Sequence, residues 1–288
     1  MVKFIANNKE WYIDGYLASN LDKAKKFIKK DWDMFFIVDG SERSGKSNMV
    51  QTAAAYCDPT LCLDRIVFTP TQFEEAVLNA EPFTAIIWDE AVTAAESGDT
   101  STKIWKTLKK MMVQMGQKNL FIFVVIHSFF DLTKYLSVWR SRALIHIYHD
   151  DFERGYFQFY NEERKKYLYI KGKKYYEYKE GKPNFIGRFT KGYYVDEQAY
   201  RDKKKQSLLE LETEEKENDR YKNHLLGCIQ LLKDRGVGTI ELHNDLKKIV
   251  PNCVDIRTIQ RYYKELSDGD KKENTLLLIE KVITDEQQ

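Results

Sequence analysis

The chain has 288 residues, with 46 Lys and Arg against 44 Asp and Glu, a formal net charge of +2, 43% hydrophobic and 31% charged residues. At about 150 residues per domain this amounts to roughly two domains with a sizeable core; only 14 Gly and 5 Pro exclude collagen-like and low-complexity classes. A nearly neutral chain does not hold nucleic acid by bulk charge, so any such contact must come from local patches. Cys57, Cys62, Cys228 and Cys253 lack the spacing and His partners of a structural zinc site, which points to a reduced, cytoplasmic setting. The longest strongly apolar run, Leu120 to Ile126, is far below the ~20 residues of a membrane helix, and Met1 to Phe4 opens no signal-peptide core. Neither secretion nor a membrane partner is expected.

In chain order, residues 17–30 read as an amphipathic helix and Met34 to Val38 as a short buried strand. A glycine-bearing loop follows, then a helix from Lys46 to Tyr56, a strand at Arg65 to Thr69, a helix at Gln72 to Leu78 and a strand at Thr84 to Trp88. Residues 96–102 read as a loop, Lys103 to Met115 as a helix, and Leu120 to Ile126 and Leu144 to Tyr148 as strands. Strands alternating with helices predict an α/β domain over residues 1–150, its mostly parallel sheet covered on both faces. Three aromatic-rich runs, 155–160, 166–170 and 174–178, predict a β-rich extension over 151–196. Residues 197–218, dominated by Lys, Glu, Gln and Leu, predict a solvated helical linker. Helical patterns at Tyr221 to Lys233, Thr239 to Ile249 and Asp255 to Leu266 give residues 219–288 the look of a helix-turn-helix or winged-helix module.

The chemistry concentrates in four places. Gly40, Ser41, Glu42, Arg43, Ser44, Gly45, Lys46 and Ser47 fit G-x-x-x-x-G-K-[ST], directly after a strand and before a helix. Glycines let successive N–H groups face a phosphate, Lys46 reaches the β- and γ-phosphates, and Ser47 is placed to hold Mg²⁺. Asp89 and Glu90 end an apolar strand some forty residues on, where Asp89 would hold the metal and Glu90 polarise a water. His127 ends the next apolar strand, either facing the γ-phosphate as a sensor or closing the strand locally. Arg140 and Arg142 precede the last strand of the core; either could complete a neighbouring subunit's site in trans, as in ring NTPases, or be an ordinary surface arginine.

Together these residues resemble the FtsK/HerA superfamily of P-loop ATPases, including viral zonula-occludens-toxin-like ATPases, from about Met34 to Tyr148. The resemblance implies a RecA-like core, ATP and Mg²⁺ as cofactors, and a homo-hexameric ring that moves DNA for packaging or transfer in a virus or mobile element. It also implies a winged-helix module after the motor. Where the superfamily typically carries a glutamine sensor, this chain has His127. AAA+ initiators share the same motifs but need a helical lid where 151–191 reads as β-rich, and a nucleotide-switched DNA-binding regulator is a further alternative.

Outside the core, Ile256, Ile259, Tyr263 and Leu266 recur at helical spacing as core positions, leaving Arg257, Gln260, Arg261 and Lys264 on the opposite face for DNA. An ordinary polar surface on a subunit-contact bundle is the competing reading, and the even charge of residues 219–288 favours it. The segment 151–191, with eleven basic and six acidic residues, either stacks on single strands or packs its aromatics internally. Lys106, Lys109 and Lys110 are the pore-facing candidates.

Overall fold

Alternation of apolar strands with helices produces the layered structure expected of it. The computed structural model describes residues 1–89, 100–151, 153–249, 257, 259, 260 and 264, and the chain divides into two units, Met1–Leu211 and Glu212–Gln288. The first opens with an antiparallel hairpin, β1 (Val2–Ala6) and β2 (Lys9–Ile13), that the sequence reading left unassigned. Its turn is Asn7-Asn8, both at positive φ (49° and 56°), the geometry that suits a two-residue hairpin turn. Asp14 then caps α1 (Gly15–Ile28) by accepting from the Tyr16 and Leu17 N–H groups.

The sheet is built from β3 (Met34–Gly40), β4 (Ile66–Val67), β5 (Ala85–Trp88), β6 (Phe121–Val125), β7 (Ala143–Asp150), β8 (Glu153–Tyr160) and β9 (Phe185–Arg188), in the order β4-β5-β6-β3-β7-β8-β9. The first five of that order run parallel, and β8 and β9 add antiparallel strands beyond β7. The helices α2 (Lys46–Cys57), α3 (Pro70–Asn79) and α4 (Thr100–Gln117) connect the parallel strands. Every residue of β3 is buried because the sheet has two cores. Phe36 and Val38 share one with α1 and α2, while Phe35 and Ile37 share the other with α3 and α4. Two-sided burial is why these strands read as unbroken apolar runs rather than alternations.

Two sequence expectations are corrected. Residues 166–170 are not a strand but part of α5 (Glu162–Gly172). Asn161 caps it through the Arg164 N–H, Glu162 and Glu163 occupy its first turn, and Lys165, Leu168, Tyr169 and Gly172 form its buried stripe. That i, i+3, i+4, i+7 spacing outweighs aromatic β-propensity. Residues 174–178 are no strand either, and the chain there turns back with Tyr175 and Glu177 N–H groups donating to the Gly172 carbonyl. The second correction concerns 197–218. These residues lie in α6 (Glu197–Asp234), whose first turns are seated on the core. Tyr200 and Ser207 are buried, Gln72 donates to Ser207 Oγ at 2.8 Å, and Lys203 Nζ donates to the Leu63 carbonyl at 2.9 Å. Two inward positions seven apart suffice to seat a stretch of helix that is otherwise rich in charged residues.

In the second unit, α7 (Thr239–Ile249) follows α6, and Ile229, Leu242 and Ile259 form a small apolar cluster with Leu225, Leu226, Leu232 and Val237 beside it. Ile259 is thus a core residue, as its spacing predicts. No helix among the described residues is long and apolar enough to cross a membrane.

Lys165 is an uncommon feature of this core. Its side chain is fully buried, and Nζ donates to the Ser137 and Val138 carbonyls at 2.7 and 3.0 Å, closing the π-helical segment Tyr135–Arg140. Burial pulls its pKa down from 10.5 to about 8, the nearby Glu162 opposing and Arg142 assisting. Between those two values the unfolded chain holds a proton that the folded chain has released, so stability rises with pH across this window. Measured by urea unfolding, the wild type should gain roughly 2 kcal/mol relative to Lys165→Met between about pH 7.5 and about pH 9.5. Parallel pH profiles for the two proteins would show that Lys165 keeps its proton in the fold.

Candidate functional site

At the carboxyl end of β3 the chain makes a tight curl before α2. Gly40 has φ +140° and a side chain there would strike the Ile147 carbonyl. Arg43 sits at φ 56°. Gly45, at φ +100°, lies under the Phe189 ring, 3.1 Å from where a Cβ would be. Glycine is required at 40 and 45 for space as much as for conformation. Inside the curl, Lys46 Nζ donates to the Gly40 and Ser41 carbonyls at 2.6 and 2.8 Å, and Ser44 Oγ donates to the Ser41 carbonyl at 2.8 Å. The Lys46 ammonium is buried within the loop, at the amino end of α2, where dipole and free N–H groups favour an anion.

Beneath the loop lies Asp39, with no exposed surface. Its Oδ1 pairs with His146 Nδ1 at 2.9 Å, and its Oδ2 accepts from the Phe129 N–H at 2.9 Å and from the Tyr178 hydroxyl. The His146 ring stacks on Tyr178 with centroids 3.7 Å apart. Burial and then the Asp39 charge push the Tyr178 phenol far above its ordinary range, so it remains a donor. Asp39 therefore ties β3 to β7, to the segment after β6 and to the chain after α5.

Strand order brings the other residues in. Because β6 lies between β3 and β5, the loop, His127 after β6 and Asp89 after β5 fall side by side along the carboxyl edge. The Gly40 N–H donates to the His127 carbonyl at 3.4 Å, and the Asp89 N–H donates to the Val67 carbonyl at 2.8 Å. Glu42, Arg43, Ser44, Gly45, Lys46, Ser47, Asp89 and His127 all line one open cleft of about 930 Å³. Asp89 is buried, and its Oδ2 accepts from the Tyr200 hydroxyl at 2.6 Å. Ser47 and Asp89 thus line one cleft, two oxygen-bearing groups of the kind a hard, oxygen-loving cation needs when phosphates complete its shell.

Arg140 and Arg142 are not brought to this cleft. Ala143 pairs with Phe36, which places both arginines at the amino-terminal edge, about five residues or ~17 Å of strand from Gly40. Each is engaged there: Arg140 with Asp33 and the Phe35 ring, Arg142 with Glu162 at 2.8 Å and the Trp32 ring. Glu90 and the 96–99 part of the expected loop lie outside the described residues, as do the Lys106 side chain and Arg261. Lys109 is exposed and Lys110 pairs with Glu74. In the second unit Arg257, Gln260 and Lys264 are helical and exposed, opposite in character to the buried Ile259.

The sequence reading missed the cations on the far wall of the cleft: Arg154, Lys191, Arg201 and Lys204, beside Phe189 and Tyr193. Arg201 pairs with Glu197 at 2.6 Å and lies over the Tyr193 ring. A signal existed in the basic run from Arg201 to Lys205, but its acidic surroundings made it look like a solvated linker.

Asp39 supplies a stability test. Asp39→Ala leaves His146, Tyr178 and the Phe129 N–H without their shared acceptor and should cost about 3–5 kcal/mol in urea unfolding. Asp39→Asn, which keeps one acceptor oxygen, should cost less than half of that. Equal losses would mean that volume, not the acceptor, matters here.

Compared with known proteins, the chain matches no protein-family model, and no curated protein matches it in sequence.

Proposed function

We propose that this protein is a Mg²⁺-dependent ATPase whose nucleotide site is the cleft at the carboxyl edge of the sheet. The observation that carries the reading is the convergence, in one cleft, of the curled 40–47 loop, Asp89 and His127. In open parallel sheets ligands lie beyond the carboxyl ends of the strands where strand order reverses, and β3 is such a point, with β6 on one side and β7 on the other. A RecA-like P-loop core accounts for the combination.

In this mechanism the loop N–H groups hold the phosphate chain and Lys46 turns from the Gly40 and Ser41 carbonyls to the β- and γ-phosphates. Ser47 and Asp89 would hold the metal, which when bound would supply positive charge against that developing on the phosphates. Glu90 takes the proton of the attacking water, and His127 faces the γ-phosphate. Arg154, Lys191, Arg201 and Lys204 supply further positive charge from the opposite wall. An arginine finger from Arg140 or Arg142 would have to come from a neighbouring copy, released from the intrachain partner it now holds.

We further propose that hydrolysis drives movement of DNA by a hexameric ring of the FtsK/HerA kind, with residues 219–288 as a winged-helix-like DNA contact. The exposed Arg257, Gln260 and Lys264 around the buried Ile259 support this.

Lys46→Ala should lose ATP affinity, whereas Glu90→Gln should retain binding and lose turnover, as read by equilibrium binding and steady-state phosphate release. Equal loss of binding in both would remove Glu90 from its role. Replacing Arg257 and Arg261 together by Ala should weaken duplex DNA binding and reduce its log-log salt slope by roughly 0.9 per lost phosphate contact. Unchanged affinity and slope, with assembly lost instead, would make this helix an oligomerisation surface.

A further inference from the structure

Tyr200 stands where the proposed metal would stand. Its hydroxyl donates to Asp89 Oδ2 at 2.6 Å, so it covers one of the two protein groups, Asp89 and Ser47, that the nucleotide reading assigns to Mg²⁺. The side chain is only 2% exposed. Its ring is held between Phe68 and Tyr193, with centroids 5.5 and 5.0 Å away. The phenol proton and a cation compete for Asp89 Oδ2, since both need its lone pairs.

The residue sits one turn into α6, whose start is fixed by Asp196 Oδ1 accepting from the Ala199 N–H at 2.8 Å. The next turns rest on the core through Lys203 to the Leu63 carbonyl and Ser207 to Gln72. Arg201, the neighbour of Tyr200, lines the cleft from the same turn. The helix that carries these groups is the one that runs on past Leu211 into the second unit.

Resting on the nucleotide reading, we propose that Tyr200 is a metal-site gate: its hydroxyl covers Asp89 Oδ2 and is displaced when a metal-bound nucleotide enters, so that α6 senses the metal–nucleotide rather than the nucleotide alone. Its role is positional; it takes no part in bond making. Removing the hydroxyl takes away a competitor of the metal and leaves Lys46 and the loop glycines in place. Phenylalanine keeps the ring packing.

The test is binding of a non-hydrolysable ATP analogue to the full chain, in Mg²⁺ and in EDTA, together with hydrogen exchange of residues 197–211 in the wild type. Tyr200→Phe should tighten binding in Mg²⁺ by roughly tenfold and leave it unchanged in EDTA, as expected when a charge-assisted hydrogen bond no longer opposes the metal. In the wild type, the analogue with Mg²⁺ should speed exchange over 197–211, and the analogue with EDTA should not. Affinity in Mg²⁺ that is unchanged or weakened by Tyr200→Phe overturns the gate. So does exchange that is the same under both conditions, a readout that needs no variant. Failure of the nucleotide reading looks different: the wild type does not bind the analogue in either condition, or Lys46→Ala binds it as well as the wild type does.

Discussion

A single carboxylate with no access to solvent organises the end of the sheet that carries the cleft. Asp39 accepts from the Phe129 N–H, the Tyr178 hydroxyl and His146, three donors brought in by three different stretches of chain. Burying an ionised carboxylate is costly unless its lone pairs are filled by well-placed donors. The fold meets this by fixing the strand end, the exit of β6 and the chain after α5 against one another. The residue after Asp39 is Gly40, so the loop starts from a point whose position three elements share. His127 is two residues before Phe129, and it inherits the same anchorage.

Above this anchor, the cleft gathers charge of both signs, part of it already paired, as Arg201 is with Glu197 at 2.6 Å. Asp89 is buried beneath Tyr200, whereas Arg154 and Arg201 are exposed on the opposite wall. Of the described carboxylates that line the cleft, Asp89 is buried, while Glu42 and Glu197 are exposed, as Arg154 and Arg201 are. The aromatic rings of Phe189 and Tyr193 line the same cleft.

Much of this layout was legible before any coordinates. The parallel strands are buried on both faces, so their apolar runs stand out, and the glycine-lysine loop has no common structural purpose that produces the same spacing. Asp89 and His127 were found because they end such strands. What could not be read was carried by long-range geometry. Asp39 looks like an ordinary residue at a strand end until His146 and Tyr178 are placed beside it. The α5 stripe hid behind tyrosines that favour strands, with Lys165 an unexpected inward residue. Tyr200 hid in a charged helix because only two of its neighbouring turns point inward. Arg140 and Arg142 were identified by type and position before a strand, but parallel pairing with β3 sends that position to the other edge.

The two rims of the seven-stranded sheet are short. On one side β4 offers two residues, and on the other β9 offers four, both below the five or six of an ordinary strand. Unpaired N–H and C=O groups along a long rim invite another chain to continue the ladder, and very short edge strands are one way proteins blunt that hazard. A wide, strongly apolar sheet of this kind would otherwise be a template for fibrous or amorphous growth, above all while the chain is still folding. Copies of this molecule that meet through this sheet's rims find almost no ladder to extend, so ordered association through the seven-stranded sheet has to be written in side chains, where sequence can choose the partner and the angle.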